Sequence, residues 1–114
     1  MQEQKIILKN LPKISLNEWY SSKHWSIRQK QKKTFIWIVK SQFKHVFAKD
    51  KKYLVSYQFF FAKRPLDASN TVAMIKLIED IIFEDDNYKI MDIGGITSRK
   101  AKEDYLIITI QERT

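Results

Sequence analysis

The sequence contains no cysteine. Disulfide staples and thiolate metal sites are therefore excluded, which fits a reducing compartment. Glycine and proline occur only twice each, too seldom for a disordered or loop-dominated chain. No segment approaches the roughly 20 apolar residues of a membrane span. The first apolar run, "KIILK", is too short for a signal peptide. There is no glycine-rich phosphate loop and no visible Ser-His-Asp or Cys-His arrangement, and His24 and His45 lack zinc-site spacing. Acidic residues are scarce in one region, with only 3 Asp/Glu in residues 1–64.

What is present is a chain of 114 residues, 44% hydrophobic and 13% aromatic. That suffices for one domain, residues 1–114, around a single core. The net charge of +8 is unevenly spread. Residues 1–64 carry 15 Lys/Arg, a net of +12, whereas residues 65–114 carry 6 Lys/Arg against 10 Asp/Glu, a net of −4. A basic half reads as a footprint for a polyanion, most often nucleic acid. Carboxylates near a phosphate backbone repel it unless a cation lies between them. The combination points to a basic cradle for the polymer and acids that hold a divalent metal against one phosphate.

Periodicity places the elements. "KIILK" is a short strand. "KISLNEWYSSKHWSIRQKQKK" begins as a loop and enters a helix near residues 26–28, continuing to about Ala48. Ile36, Val39, Phe43, Val46 and Phe47 form one apolar stripe at helical spacing, and Lys33, Trp37, Lys40 and Lys44 form a second face. "YLVSYQFFFA" (residues 53–62) predicts a central strand with Tyr53, Val55, Tyr57, Phe59 and Phe61 on one side. Pro65 breaks it. A second helix over residues 69–82 carries Met74, Leu77, Ile78 and Ile81 inward, with Asp67, Ser69 and Asn70 as candidate N-caps. Residues 88–93 and 104–110 read as two strands, with 97–103 as the hairpin loop between them and Gly94-Gly95 as a bulge. The expected class is α+β: a mixed or antiparallel sheet with two main helices on one face.

Three constellations carry possible chemistry. Asp67 and the run Glu84-Asp85-Asp86 flank the second helix. Two convergent Asp residues suffice chemically for magnesium, provided the turn after Ile82 folds back along the helix. The competing reading is that Asp67 caps the helix and residues 84–86 form a solvated turn. Lys76 and Asp80 share one helix face, either to offset phosphate charge or as a surface ion pair. The basic, aromatic segment with Trp19, Tyr20, Lys23, Trp25, Arg28, Lys30, Lys32 and Lys33 offers phosphate contacts and base stacking. In the competing reading its Trp side chains lie in the core and its lysines form a solvated face.

The ordered set "LNEWYSSKHWSIRQKQKK", "KRPLDASN", a helix bearing Lys76 and Asp80, and then "EDD" resembles the RusA family of Holliday-junction resolvases. The resemblance implies a homodimeric α+β endonuclease of bacterial or phage-infected cytoplasm. Such an enzyme nicks four-way DNA junctions in pairs with Mg²⁺ or Mn²⁺, and needs neither a membrane nor a small-molecule substrate. It implies Asp67, Asn70, Lys76 and Asp86 as catalytic residues, and Asp67, Asp80, Asp85 and Asp86 as the pool of metal ligands. Lys23, Trp25, Arg28, Lys30, Lys32, Lys33, Lys40, Lys63 and Arg64 become the DNA-binding set. The chain departs from the family's Asp-x-Asp-Asn motif: Ser69 stands at the second Asp, or in another register Pro65 stands at the first. That departure supports the alternative of a non-catalytic module for branched or single-stranded DNA.

Overall fold

The computed structural model describes residues 3–15, 19, 25–85, 87 and 89–113, except the side chain of Trp25. Its elements are β1 (Glu3–Lys9), α1 (Trp25–Gln42), β2 (Lys52–Phe61), a 3-10 turn (Ala68–Thr71), α2 (Val72–Ile82), β3 (Met91–Lys100) and β4 (Tyr105–Arg113). They form an α+β structure with one mixed four-stranded sheet in the order β1-β4-β2-β3. β4 runs antiparallel to both β1 and β2, while β2 and β3 are parallel. Consequently β1, β2 and β3 all point the same way, and α2 is the crossover that parallel neighbours require.

The period of two in β2 sets the core. Tyr53, Val55, Tyr57, Phe59 and Phe61 are buried, and the residues between them are half-buried or exposed. They join Phe35 and Val39 of α1, Met74, Ile75, Ile78 and Ile82 of α2, Ile6 and Leu8 of β1, and Leu106, Ile108 and Ile110 of β4. The buried strand positions alternate in this way, so the helices cover one sheet face. Each large apolar side chain so buried contributes about 1.5–3 kcal/mol. No helix among the described residues is long and apolar enough to cross a membrane.

Several expectations hold. β2 is central, flanked by β4 and β3. The inward stripe Met74, Leu77, Ile78 and Ile81 is buried. The register moves from Val55↔Ile93 to Tyr57↔Ile96, so Gly94 and Gly95 together face one residue of β2, Ser56. This is the bulge the two glycines foretell.

Others do not. α1 stops at Gln42, not near Ala48. The Gln42 side-chain amide clamps the end of β1: Lys9 N donates to its Oε1 (2.6 Å), and its Nε2 donates to Lys9 O (2.7 Å). Beyond it the chain leaves the helix so that Phe47 can bridge to the exit of α2. Phe47 N donates to Ile82 O at 2.7 Å and Glu84 N to Phe47 O at 2.9 Å. Phe47 is thus buried by strand-like pairing, Phe35 takes the inward position on α1, and Val46 is 46% exposed. Residues 97–103 are not a hairpin loop either. β3 continues to Lys100, and β2 lies between β3 and β4, so those two strands do not pair.

Candidate metal and nucleic-acid site

Three strands share one direction, so the segments that follow β1, β2 and β3 gather at one end of the sheet. Asn10 turns the chain out of β1 with φ 59°, a left-handed conformation that Asn tolerates. Four hydrogen bonds then hold the end together. Lys13 Nζ donates to Arg64 O at 2.9 Å, and the Ser98 hydroxyl donates to Leu66 O. Ala101 N donates to Phe61 O at 2.9 Å, and Ala62 N donates to the Asp104 carboxylate at 2.7 Å. The result is a polar cleft of about 410 Å³ lined by Lys13, Ser15, Arg64, Asp67 and Asn70. Exposed Lys63, Arg99, Lys100 and Lys102 lie in the same strand-end segments.

The carboxylate of Asp67 is not spent on helix capping. Asp67 precedes the 3-10 turn, but its side chain makes no cap hydrogen bond. The turn is closed by backbone and by threonine instead: Asn70 N donates to the Asp67 backbone O at 2.8 Å, and Thr71 Oγ1 donates to Ala68 O at 2.6 Å. Exposed Asp67 therefore stands in a cleft whose cations, Lys13 and Arg64, suit phosphate oxygens. A carboxylate with phosphate oxygens beside it is the donor set that magnesium takes.

The second acidic segment lies at the other end of the sheet. The Phe83 ring packs 5.4 Å from that of Tyr53, near the start of β2. Leu66 is tied instead to Ser98, which pairs with Phe59 near the end of β2. Six strand residues separate these levels, about 20 Å. One protomer thus does not bring Asp67 and Asp85 to one ion. Asp85 is engaged locally, accepting from Asn87 N (3.2 Å) and Asn87 Nδ2 (2.9 Å). Glu84 lies 3.7 Å from Lys49 Nζ. Further ion pairs at this end join Lys51 with Glu112 (3.3 Å) and Arg113 with Asp92 (3.6 Å). Asp86 lies outside the described residues. Among the described residues no three His, Asp or Glu side chains form a group able to hold a metal.

Lys76 and Asp80 sit on the exposed face of α2 in a separate groove of about 260 Å³, beside Trp19 and Lys32. Lys76 also borders a groove of about 270 Å³ with Glu79 and Met91. Of the DNA-binding set, Lys30, Lys33, Lys40, Lys63 and Arg64 are exposed, while Arg28 and Lys32 are half-buried. Lys23 and the Trp25 side chain lie outside the description. Sequence reasoning missed Lys13, Ser15, Arg99, Lys100 and Lys102. The only available signal for Lys13 was its place just after the break at Pro12. Arg99, Lys100 and Lys102 were hidden by their location in the acidic half. No protein-family model matches the chain, and no curated protein matches it significantly.

Proposed function

We propose that this chain is a RusA-like, magnesium-dependent endonuclease that nicks branched DNA, with four-way junctions as substrate. The observation that carries the reading is the uncapped Asp67 carboxylate in a cleft with Lys13, Arg64 and Asn70. Lys13, Lys63, Arg64, Arg99, Lys100 and Lys102 attract the phosphate backbone to this sheet end. Asp67 would hold Mg²⁺ or Mn²⁺, and Asn70 would orient a water or ligand beside it; the ion, when bound, would supply Lewis-acid activation of a phosphate and of water. Lys76, in its separate groove on α2, would offset phosphate charge. Asp67 and Asp85 lie at opposite ends of α2, so the second carboxylate comes from another copy. In a two-fold homodimer, the segment after α2 in each protomer, with Glu84 and Asp85, would complete the cleft of its partner. Such a pair of sites matches the paired nicks that a four-way junction needs. The cytoplasm is the compartment for this activity.

The experiment is subunit complementation on a labelled four-way junction with Mg²⁺. Asp67→Asn and Asp86→Asn homodimers are each inactive. Mixed after unfolding and refolding together, they regain nicking, because one of the two shared sites is then intact. Recovery no greater than the sum of the separate variants overturns the shared site, and a wild type that cuts no junction with either metal overturns the nuclease. A second reading, a non-catalytic module for branched or single-stranded DNA, is favoured by Ser69, or in the other register Pro65, standing where the family motif has an acid. Metal-independent junction binding without cleavage is its signature.

A further inference from the structure

Trp37 is 72% exposed. It follows Phe35, which is fully buried, by two residues, about 200° around α1. It therefore points away from the core. Lys33 and Lys40 precede and follow it by one helical turn, and Lys30, Thr34 and Ser41 complete an exposed face. The segment that forms α1 contains no Asp or Glu. A single exposed apolar side chain is ordinary. An indole set between lysines on a helix without acids has a narrower range of partners.

We propose that this face binds an unpaired stretch of DNA, with Trp37 as the platform on which one base stacks and Lys33 and Lys40 as contacts to the flanking phosphates. The proposal rests on the DNA-acting function argued above but concerns a different surface and needs no metal. Charge complementarity selects the occupant. Lys33 and Lys40 lie about 10 Å apart along the axis on either side of the indole, and a single strand offers phosphates on both sides of an accessible base. A second copy of the chain docked face to face would set lysines against lysines. A lipid surface requires a broad apolar face, whereas the residues around Trp37 on this one are Lys, Ser and Thr.

The test uses the full chain in EDTA, so that binding is read without cleavage. An oligothymidylate and a blunt duplex of equal length are titrated by fluorescence anisotropy. Trp37→Ala weakens single-strand binding roughly 10- to 100-fold and leaves duplex binding within about twofold, and Trp37→Phe restores most of the loss. Lys33→Gln with Lys40→Gln lowers the salt slope for the single strand by about 1.4. Unchanged single-strand affinity in Trp37→Ala overturns the proposal, as does an equal loss on duplex. Trp37-dependent binding to anionic vesicles in place of DNA, or a change of oligomeric state in Trp37→Ala, also overturns it. Magnesium-dependent nicking, measured separately on wild type, distinguishes the two failures. Nicking with no Trp37 effect sinks only this inference, and Trp37-dependent binding with no nicking sinks only the nuclease.

Discussion

Asp67→Ala separates a helix cap from a metal ligand. A true Asp N-cap replaced by Ala costs about 1 kcal/mol. Here the side chain makes no cap hydrogen bond and is exposed. It also precedes α2 by a full 3-10 turn, so the helix dipole, which fades within one turn, adds little. Loss of one negative charge beside Lys13 and Arg64 costs a few tenths of a kcal/mol at a solvated surface. The expected destabilisation is below about 0.5 kcal/mol. At a urea m-value of about 2 kcal/mol/M the midpoint then falls by less than about 0.25 M, against about 0.5 M for a cap. Under the proposed function, junction nicking by contrast falls more than about 100-fold, because Asp67 would be the ligand that fixes the metal. Urea unfolding by circular dichroism and single-turnover nicking on one preparation give both values. A midpoint shift near 0.5 M with nicking intact would return Asp67 to a structural role and remove the basis of the proposed site.

Two further outcomes follow from the sheet. A Cβ at Gly94 would stand 2.6 Å from Ser56 Oγ and 3.3 Å from Leu54 Cδ1, whereas one at Gly95 meets nothing within 4 Å. Gly94→Ala therefore costs about 1–2 kcal/mol, Ser56→Ala, which removes the contacting Oγ, recovers part of it, and Gly95→Ala is neutral; equal effects at the two glycines in urea unfolding would refute this. The Tyr53 phenol, which donates to Ala48 O at 2.7 Å, has its pKa raised above 10.0, first by burial and then by Glu112. The fold thus favours the neutral form. Its contribution is complete below pH 10 and is lost as pH rises through the higher folded value. Unfolding midpoints from pH 8 to 11 should decline more steeply in wild type than in Tyr53→Phe, and identical slopes would contradict the assignment.

Local periodicity makes β2 and α2 legible in the sequence. The alternation from Tyr53 to Phe61 and the stripe from Met74 to Ile81 each describe one buried face. Gly94-Gly95 likewise announced its bulge. What failed depended on partners far away in sequence. Residues 43–47 carry a helical pattern, yet Phe47 gains more from pairing beside Phe83, so the helix stops where Gln42 grips Lys9. The hairpin expected between the last two strands fails because β2 takes the place between them, and nothing local to residues 88–110 encodes that. Half of the cleft was readable, since Asp67 and Asn70 sit together in "LDASN". Lys13 was not, because its proximity to Arg64 follows from β1 and β2 being parallel across an intervening strand. The charge division at residue 64 misled in the same way. Arg99 and Lys100 belong to the acidic half of the chain but end beside β2.

The position of β4 has a consequence for assembly of the fold. The strand that comes last along the chain sits between the first and β2, so β1 has no ladder partner until β4 arrives from about a hundred residues away. β1 therefore joins the sheet on the outer edge of β4, together with that strand or after it. Loop-closure entropy places such a step late on the folding route. A nascent or clipped chain that ends before Tyr105 would leave β1 without its ladder partner and β2 with one neighbour in place of two. The segment bearing Lys13 would lose its anchor at the same moment, so the cleft at the strand ends forms only once the final strand is in place.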